Sequence, residues 1–433
     1  MKLSPPRQFP VALGLIGALA LAAPALAQAP AEPEAQDSPT TIEDRLDRLE
    51  EENVELRERL DIMAEEVERA ELRDIIPVIG ESSHGLGPSA SKVYDKEQGL
   101  SIGGYGEGVY SSYSGSKDST ADFLRGIIYT GYKFNDNWLF NSEVEIEHAS
   151  TSESGSISLE FAYLDYLAKE SLNARFGLVL VPMGFINEMH EPTTFPSVHR
   201  PETERRIIPS TWRENGVGLF GDVGGFTYRG YIMNGFDADG FSATGVRDGR
   251  QKGSKAKAND LAAVVRLDWT DTPGINVGLS AYYGNSGQET TGFGSVGTSI
   301  YDVHFQYENR GWWFRALGAL SRISDTEQLN AAKGLTGTDV IGDQMVGYYG
   351  ELGYDLLSAW SPESEKQLLP FLRYEKINTQ DSVAVGTADP TNDETIITIG
   401  LAYQPIEEII FKTSYEDFDQ GPDRFSLSMG YVF

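Results

Sequence analysis

Residues 138–148 read WLFNSEVEIEH, and the alternation in this stretch decides the fold. In an extended strand, side chains two positions apart point to the same face. The apolar residues on one face are Trp138, Phe140, Val144 and Ile146. The polar residues on the other face are Asn141, Glu143, Glu145 and Glu147. A strand with one apolar and one ionisable face is typical of a transmembrane β-barrel, which separates lipid from a polar interior.

The same alternation continues to the end of the chain. We predict strands at residues 99–113, 121–135, 137–149, 156–169, 172–182, 214–223, 225–235, 259–271, 274–285, 298–309, 311–323, 344–358, 366–378, 393–405, 407–419 and 423–433. Short connections follow most even-numbered strands, and long ones follow the fifth, seventh, ninth, eleventh and thirteenth, as in bacterial barrels. The sequence therefore predicts an all-β fold, a transmembrane antiparallel β-barrel of about sixteen strands over residues 99–433.

The first 27 residues have the features of a signal peptide. Two basic residues precede an apolar run at 11–23 and the tripeptide Ala-Leu-Ala at 25–27. A basic region, a hydrophobic region and a small-residue cleavage site follow one another in this order in secreted proteins. We therefore predict that residues 1–27 are removed on export, and that residues 28–40, rich in Ala, Pro and Glu, are a flexible leader.

An amphipathic segment follows the leader. Positions spaced alternately by four and three form its seam: Ile42, Leu46, Leu49, Asn53, Leu56, Leu60, Met63 and Val67. This spacing predicts a short α-helical coiled coil over 41–72, in which the polar Asn53 fixes register and oligomeric state. The alternative is a single helix on a protein surface, and the seam does not choose between dimer and trimer. Residues 73–98 contain several Pro, Gly and Ser and are predicted to be a linker.

Composition limits the function. The chain has 35 Lys and Arg against 65 Asp and Glu, a formal net charge of -30, so nucleic acid is not an expected partner. It has no Cys, which excludes disulfides and thiolate metal sites. We find no phosphate loop, dinucleotide fingerprint or nucleophile motif, and so expect no enzyme activity, cofactor or metal site. Weak Ca²⁺ binding through carboxylates of the outer loops is the one exception that we allow.

Residues 183–213 form the third connection on the long-loop side. Four prolines exclude a regular helix or a central strand there, and a loop of about thirty residues in a compact domain is usually functional. We predict that this loop folds into the barrel and narrows it. Arg is suited to binding phosphate and carboxylate through paired hydrogen bonds. The candidate constriction or anion-binding residues of the loop are Arg200, Arg205, Arg206, Arg213, His190 and His199.

Two further sets of charged residues belong to the predicted pore. The outer loop at 246–258 is basic and carries Arg247, Arg250, Lys252, Lys255 and Lys257. By alternation, charged residues facing the lumen include Arg125, Arg266, Arg373, Glu143 and Glu145. Cations at the mouth of a pore concentrate anions there. Two alternatives stay open: the arginines of the third loop pair with glutamates and fasten it to the wall, or the basic loop contacts lipopolysaccharide phosphates or a neighbouring subunit.

The last predicted strand alternates in the same way and ends in an aromatic residue; its apolar face carries Phe425, Leu427, Met429, Tyr431 and Phe433. Such a strand resembles the assembly signal of Gram-negative outer-membrane barrels. The strand number, the arginine-bearing third loop and the N-terminal extension resemble the phosphate-selective porins of the O and P type, and related trimeric porins with an N-terminal coiled coil. The mixed charge of the lumen departs from the strongly basic pore of that family.

The resemblance implies a porin in the outer membrane of a Gram-negative bacterium, with its coiled coil in the periplasm. Such a porin passes small hydrophilic solutes by passive diffusion, and anions such as phosphate are candidates. The resemblance also implies a homotrimer, contact with lipid and lipopolysaccharide, and recognition of the Phe433 strand by the barrel assembly machinery. The alternative function is a structural barrel whose coiled coil tethers the outer membrane to the cell wall. A barrel enzyme is a third hypothesis, which requires a Ser–His or paired-acid site at the outer rim.

Overall fold

The computed structural model describes residues 42–75, 82–152, 154–361 and 364–433. In the first of these ranges, side chains are described at positions 46 and 48–63. The predicted signal peptide and leader, and part of the predicted linker, lie outside the described residues. The chain divides into two compact units, Met1–Glu66 and Val67–Phe433.

Helix α1 (Ile42–Ile75) covers the segment for which the sequence predicts a helix. The described leucines of the predicted seam, such as Leu49 and Leu56, are 63% and 59% exposed in the single chain. An exposed apolar stripe of this kind is what a coiled coil buries. The coiled coil itself stays a prediction.

Sixteen antiparallel strands form one closed barrel, in which β1 pairs with β16 and every other pairing joins strands that are consecutive in sequence. The strands are β1 (Gly99–Tyr113), β2 (Thr120–Lys133), β3 (Trp138–Glu147), β4 (Ile157–Lys169), β5 (Leu172–Leu180), β6 (Arg213–Val223), β7 (Phe226–Asn234), β8 (Leu261–Trp269), β9 (Ile275–Asn285), β10 (Gly297–Asn309), β11 (Trp312–Ile323), β12 (Gln344–Tyr354), β13 (Gln367–Ser382), β14 (Asp393–Ile406), β15 (Ile409–Phe418) and β16 (Arg424–Val432). The predicted fold class and strand number are confirmed.

Closure of the barrel satisfies the backbone hydrogen bonds of a sheet whose outer surface is apolar. Each strand has two hydrogen-bonded neighbours, so the sheet has no open edge. Large apolar side chains such as Leu164, Val265 and Val303 point outward and are exposed. Near the short turns, outward aromatic rings pack in pairs, as Trp138 does with Tyr166 across β3 and β4. No helix in the described part of the chain is long and apolar enough to cross a membrane.

The two ends of the barrel differ. At the short-turn end, connections such as 170–171, 224–225 and 310–311 contain two residues. At the long-loop end, the connection between β5 and β6 is residues 181–212, here named the constriction loop, and the one between β7 and β8 is residues 235–260. Short helices α3 (Thr326–Lys333) and α4 (Leu356–Trp360) lie in the connections after β11 and β12.

Residues 82–98, here named the N-terminal segment, contain helix α2 (Pro88–Asp95). The sequence predicts a linker over 73–98, and in the described part of that stretch the structure contains this helix instead of a purely irregular chain. Pro88 lies at the first helical position, where its missing N–H group costs nothing. The residues from Ser89 to Val93 are buried. The helix packs against the inner surface of β1, β2 and β3.

Candidate pore constriction

A single asparagine fastens the base of the constriction loop. The side-chain amide of Asn187 donates to the carbonyls of Val181, at 2.7 Å, and Trp212, at 2.8 Å. Its carbonyl oxygen accepts a hydrogen bond from the backbone N–H of Trp212 at 2.6 Å. These bonds join the first and last residues of the loop. The body of the loop therefore folds back into the barrel from a narrow neck, as the sequence predicts.

Buried carboxylates hold the loop inside the barrel by accepting hydrogen bonds from its backbone. Glu204, in the loop, accepts from the N–H of Ile186 at 2.8 Å and from the hydroxyl of Tyr349 on β12. Glu375, on β13, accepts from the N–H of Thr203 at 2.6 Å. Burial raises the pKa of Glu204 above its usual value. Hydrogen bonds to a charged acceptor are stronger than neutral ones, so these contacts fix the path of the loop.

Three of the four candidate arginines are paired with glutamates. The pairs are Arg205 with Glu202 at 2.6 Å, Arg206 with Glu394 at 3.3 Å, and Arg213 with Glu160 at 2.6 Å. Arg213 begins β6 and is buried, whereas the Arg205 side chain is half exposed. Only the Arg206 pair fastens the constriction loop to the wall, at Glu394 on β14; the Arg205 pair lies within the loop, and the Arg213 pair joins β6 to β4.

Arg200 differs from the other three. Among the described residues it forms no ion pair within 4.0 Å, and its buried Nη2 has no hydrogen-bond partner. Burial, and after it the charge of Arg125, lowers the pKa of Arg200. The Arg200 side chain is partly buried, and Glu107 and Glu145 lie near enough to offset part of its charge without pairing with it. Arg200 is therefore the loop arginine best placed to meet an anion.

A second buried cation of the same kind lies on the wall. Lys412, on β15, points inward, and its ammonium donates to the carbonyl of Ser197 at 3.2 Å. The same ammonium lies 3.7 Å from the centre of the Phe195 ring. Among the described residues Lys412 also lacks an ion pair within 4.0 Å. Lys412 and Arg200 are close enough to repel one another. The alternation of the strand pattern predicts that Lys412 faces the lumen.

The two candidate histidines contact the wall. His190 Nε2 lies 3.2 Å from Glu143 on β3, and His199 Nε2 lies 2.9 Å from the hydroxyl of Ser426 on β16. Burial, and after it the charge of Arg424, lowers the pKa of His199 well below its usual value. His199 is therefore neutral at physiological pH and adds no positive charge to the constriction.

The candidate arginines of the lumen face inward and are paired with carboxylates on the same strand or on nearby strands. Arg125 lies 3.5 Å from Glu107 and 3.8 Å from Glu145. The remaining wall pairs are Arg373 with Glu351 at 3.1 Å and Glu416 at 3.6 Å, and Arg266 with Asp268 at 2.7 Å. Paired charges of this kind leave little net electric field along the wall. Cations without a paired carboxylate therefore contribute more to the field that a solute meets.

The outer basic loop is only partly free to meet solutes. Arg247 donates to the carbonyl of Ser210 at 2.8 Å, and Arg250 to the hydroxyl of Thr211 at 2.8 Å. Burial lowers the pKa of Arg247 to about 9 and that of Arg250 to about 10. Lys257 pairs with Asp237 at 2.7 Å, while Lys252 and Lys255 are exposed. Two of the five cations therefore support the base of the constriction loop.

Cavities lie on both sides of the constriction. At the long-loop end, a cavity of about 240 Å³ is lined by Lys117, Glu202, Arg205 and Arg424, among others. At the short-turn end, a cavity of about 340 Å³ is lined by Phe195, Gln306, Trp313 and Gln404, among others. Residues 197–200 of the constriction loop lie in sequence between the residues that line the two cavities. A solute crossing the barrel along this side would pass the positions of Arg200 and Lys412.

The N-terminal segment is docked in the interior against the constriction loop and the wall. Glu191, in the constriction loop, accepts hydrogen bonds from the backbone N–H groups of Ser89, at 3.0 Å, and Ala90, at 2.9 Å, at the start of α2. The hydroxyl of Tyr94 donates to Asp165 on β4 at 2.6 Å and accepts from Arg175 on β5 at 2.8 Å. The sequence pattern does not indicate these contacts, because they join residues that are far apart in the chain.

No group of three or more His, Asp or Glu side chains within the described ranges has a geometry that could hold a metal ion. The weak Ca²⁺ binding predicted for the outer loops stays a prediction.

Comparison with known proteins identifies a relative by sequence and solved structures with a similar fold. No protein-family model matches the chain. The chain is 37% identical over 368 residues to an uncharacterized protein of Aquifex aeolicus (strain VF5), a match that covers 81% of this chain and 84% of the relative. Among solved structures, the Salmonella typhi OmpF complex with daunomycin superimposes with a TM-score of 0.52 at 13% identity, over 78% of this chain and 98% of OmpF. OmpT of Vibrio cholerae, folded in vitro, gives a TM-score of 0.48 at 11% identity, over 77% of this chain and 97% of OmpT.

Proposed function

We propose that this chain is a porin. It belongs to the same protein family as the uncharacterized protein of Aquifex aeolicus, and it has the sixteen-strand fold of outer-membrane porins. It would lie in the outer membrane of a Gram-negative bacterium and pass small hydrophilic solutes by diffusion. The apolar outer surface, the charged interior and the cavities at both ends support this proposal.

The observation that carries the proposal is the constriction itself. A pore selects solutes where charged groups and an inward loop narrow it. Here the narrowing side carries cations that have no carboxylate within ion-pair distance among the described residues, including the partly buried Arg200 and the buried Lys412. We therefore propose a preference for small anions, with phosphate as one candidate. Arg206 is assigned to holding the loop against the wall, Arg205 to a pair within the loop, and Arg213 to a pair between β6 and β4.

The remaining parts of the proposal concern the surroundings of the barrel. We propose a homotrimer, contact of the outer surface with lipid, and contact of the exposed lysines 252 and 255 with lipopolysaccharide. The coiled coil would extend into the periplasm, and the strand that ends at Phe433 would be recognised by the assembly machinery. A tether to the cell wall is not favoured, because a tether has no use for a charged constriction between two cavities.

A planar-bilayer measurement with the purified full chain tests the proposal. Under a salt gradient, the reversal potential should indicate anion selectivity, and added phosphate should reduce the current. Arg200→Gln and Lys412→Met should each shift the reversal potential towards that of an unselective pore. Removing an unpaired buried charge breaks no ion pair, so both variants should still fold.

The matched control is Arg205→Gln, which removes a half-exposed, paired arginine from the same loop and should leave selectivity nearly unchanged. Cation selectivity in the unmodified protein, or equal effects of all three substitutions, would reject the anion site and leave the porin. Absence of conductance in every preparation would reject the porin and bring the tether forward.

A further inference from the structure

The N-terminal segment lies inside the barrel at its short-turn end, where a porin needs an opening. Its helix α2 contacts β1, β2 and β3, and its residue His84 packs against Phe220 on β6, with ring centres 5.4 Å apart. Through Tyr94 it also contacts Asp165 on β4 and Arg175 on β5, so the segment covers the inner wall from β1 to β6 at this mouth. A cavity of about 500 Å³ lies between His84, Glu188 and Arg229, among other residues.

Two glycines on the inner wall form a seat for the helix. A Cβ atom added at Gly131, on β2, would lie 2.5 Å from a methyl group of Val93. A Cβ atom added at Gly103, on β1, would lie 2.7 Å from the hydroxyl of Ser89 and 3.0 Å from its carbonyl oxygen. Neither separation leaves room for an unbonded side chain, so α2 fits against the wall because these positions are glycine. At position 103 the nearest atom belongs to the side chain of residue 89, so a covalent bond between these two positions could replace the close contact.

The contacts that hold the segment are mainly polar, and water can replace them. They include the bonds from Ser89 and Ala90 to Glu191, a bond of 2.9 Å from the amide of Asn141 to the carbonyl of Ala90, and a bond of 3.1 Å from Lys133 to the carbonyl of Tyr94. The buried apolar side chains of the segment are few, namely Leu86, Ala90 and Val93. Exchange of such bonds for bonds to water changes the free energy little.

The wall beneath the segment remains satisfied without it. Asp165 keeps Arg175 at 2.9 Å, and Glu143 keeps His190 at 3.2 Å. Departure of the segment would return Glu191 to solvent and would leave no unpaired charge in the wall at these positions. A free helix of eight residues is unstable, so departure would also release the segment from its fixed shape.

We propose that the N-terminal segment is a displaceable gate of the pore, held closed by the bonds between α2 and Glu191. Docked, it narrows the short-turn mouth and fixes the constriction loop through Glu191. Released, it widens the mouth and frees the neighbouring part of the loop. This proposal rests on the proposed channel function, and it assigns a role in regulation to a part of the chain that precedes the barrel.

The full chain is suited to a cysteine-locking test, since it contains no Cys of its own. In Ser89→Cys with Gly103→Cys, the two thiols come within reach of one another only when the helix is seated. In planar bilayers, the oxidised double variant should stay at a constant low conductance. Reduction should restore the transitions to a higher conductance that we expect of the unmodified protein. Each single-substitution variant, treated with the same oxidant, is the control.

A second variant should hold the N-terminal segment away from the wall. Gly131→Leu fills the seat with a side chain and should hold the pore at the higher conductance. In the single variant Ser89→Cys, a thiol that is buried while docked should react with a soluble maleimide at a rate that Gly131→Leu increases severalfold. This labelling does not depend on conduction.

The outcomes separate the two proposals. If the oxidised, reduced and Gly131→Leu proteins conduct equally, or if the thiol introduced by Ser89→Cys labels at one slow rate with and without Gly131→Leu, the segment is a fixed part of the wall. The gate is then rejected while the porin stands. If none of the proteins conducts, the porin is rejected and the gate with it.

Discussion

At the scale of single residues, the interior is organised by charge compensation. Most wall charges have an opposite charge on an adjoining strand, such as Arg125 beside Glu107 and Arg373 beside Glu351. The exceptions in the described chain are informative because an uncompensated buried charge is costly. Arg200, Arg315 and Lys412 are exceptions of positive sign, and Glu191 is a carboxylate whose compensation comes from backbone N–H groups.

Glu191 should make docking of the N-terminal segment depend on pH. Burial raises the pKa of Glu191 to about 7, although the N–H groups of Ala90 and Ser89 oppose the rise. The docked state therefore binds a proton more tightly than the solvated state, and docking is strongest below the usual pKa of Glu and weakens as the pH rises through 7. We expect higher mean conductance at pH 8 than at pH 5.

The matched variant for this prediction is Glu191→Gln, in which the difference between pH 5 and pH 8 should become smaller. Other titratable groups face this carboxyl, namely His190, Glu143 and Lys92. If the variant keeps the full pH dependence, one of these groups, and not Glu191, is responsible.

At the scale of elements, the strands of the barrel and their inward faces could be predicted from the sequence. The contacts between the segments inside the barrel could not. A period of two in the hydrophobic pattern determines which residues form a strand and which face is apolar, so every predicted strand has its counterpart. Docking inside the barrel follows no such period. Ser89 and Glu191 are separated by 102 positions in sequence. Nothing near either residue indicates that they meet, although Gly103 and Gly131 in strands are a signal that something approaches the wall closely.

Helix α1 gives a prediction at the same scale. Leu56→Lys on the predicted seam should weaken self-association of the full chain, because a charge in an a/d seam is not compensated. The matched control is Val54→Lys, since Val54 is exposed on the same helix to the same extent, 59%, but lies off the seam. Sedimentation of the detergent-solubilised protein measures the effect. Equal behaviour of the two variants would show that the helix does not associate through this seam.

At the scale of the whole molecule, the barrel is closed where the last strand pairs with the first. Phe433 exchanges two backbone hydrogen bonds with Gly104, of 3.0 and 2.9 Å, next to the pairing of β16 with β1. Its ring lies over Gly104, where an added Cβ atom would be 2.8 Å from the ring. An open sheet in a membrane would leave two edges with unpaired backbone groups, so closure is required for stability in lipid.

We therefore expect Phe433→Ala to lower the amount of correctly assembled barrel in the membrane. Loss of the ring removes apolar contact at the closing seam. The amount of protein that migrates as a folded, heat-modifiable band on gel electrophoresis measures assembly. Phe425→Ala, on the same strand and the same face, should have the smaller effect, and the reverse order would contradict the prediction.

One hydrogen bond also sets an order of events during biogenesis. The hydroxyl of Ser89 donates to the carbonyl of Phe433 at 2.6 Å. That carbonyl is in position only after the last strand has joined the first, so the segment that precedes the barrel in sequence can complete its docking only after the barrel has closed. The part of the chain that is synthesised earlier is thus the part that settles last. A barrel in which β16 has not yet paired with β1 would lack this acceptor, and its N-terminal segment could not form the full set of contacts described here.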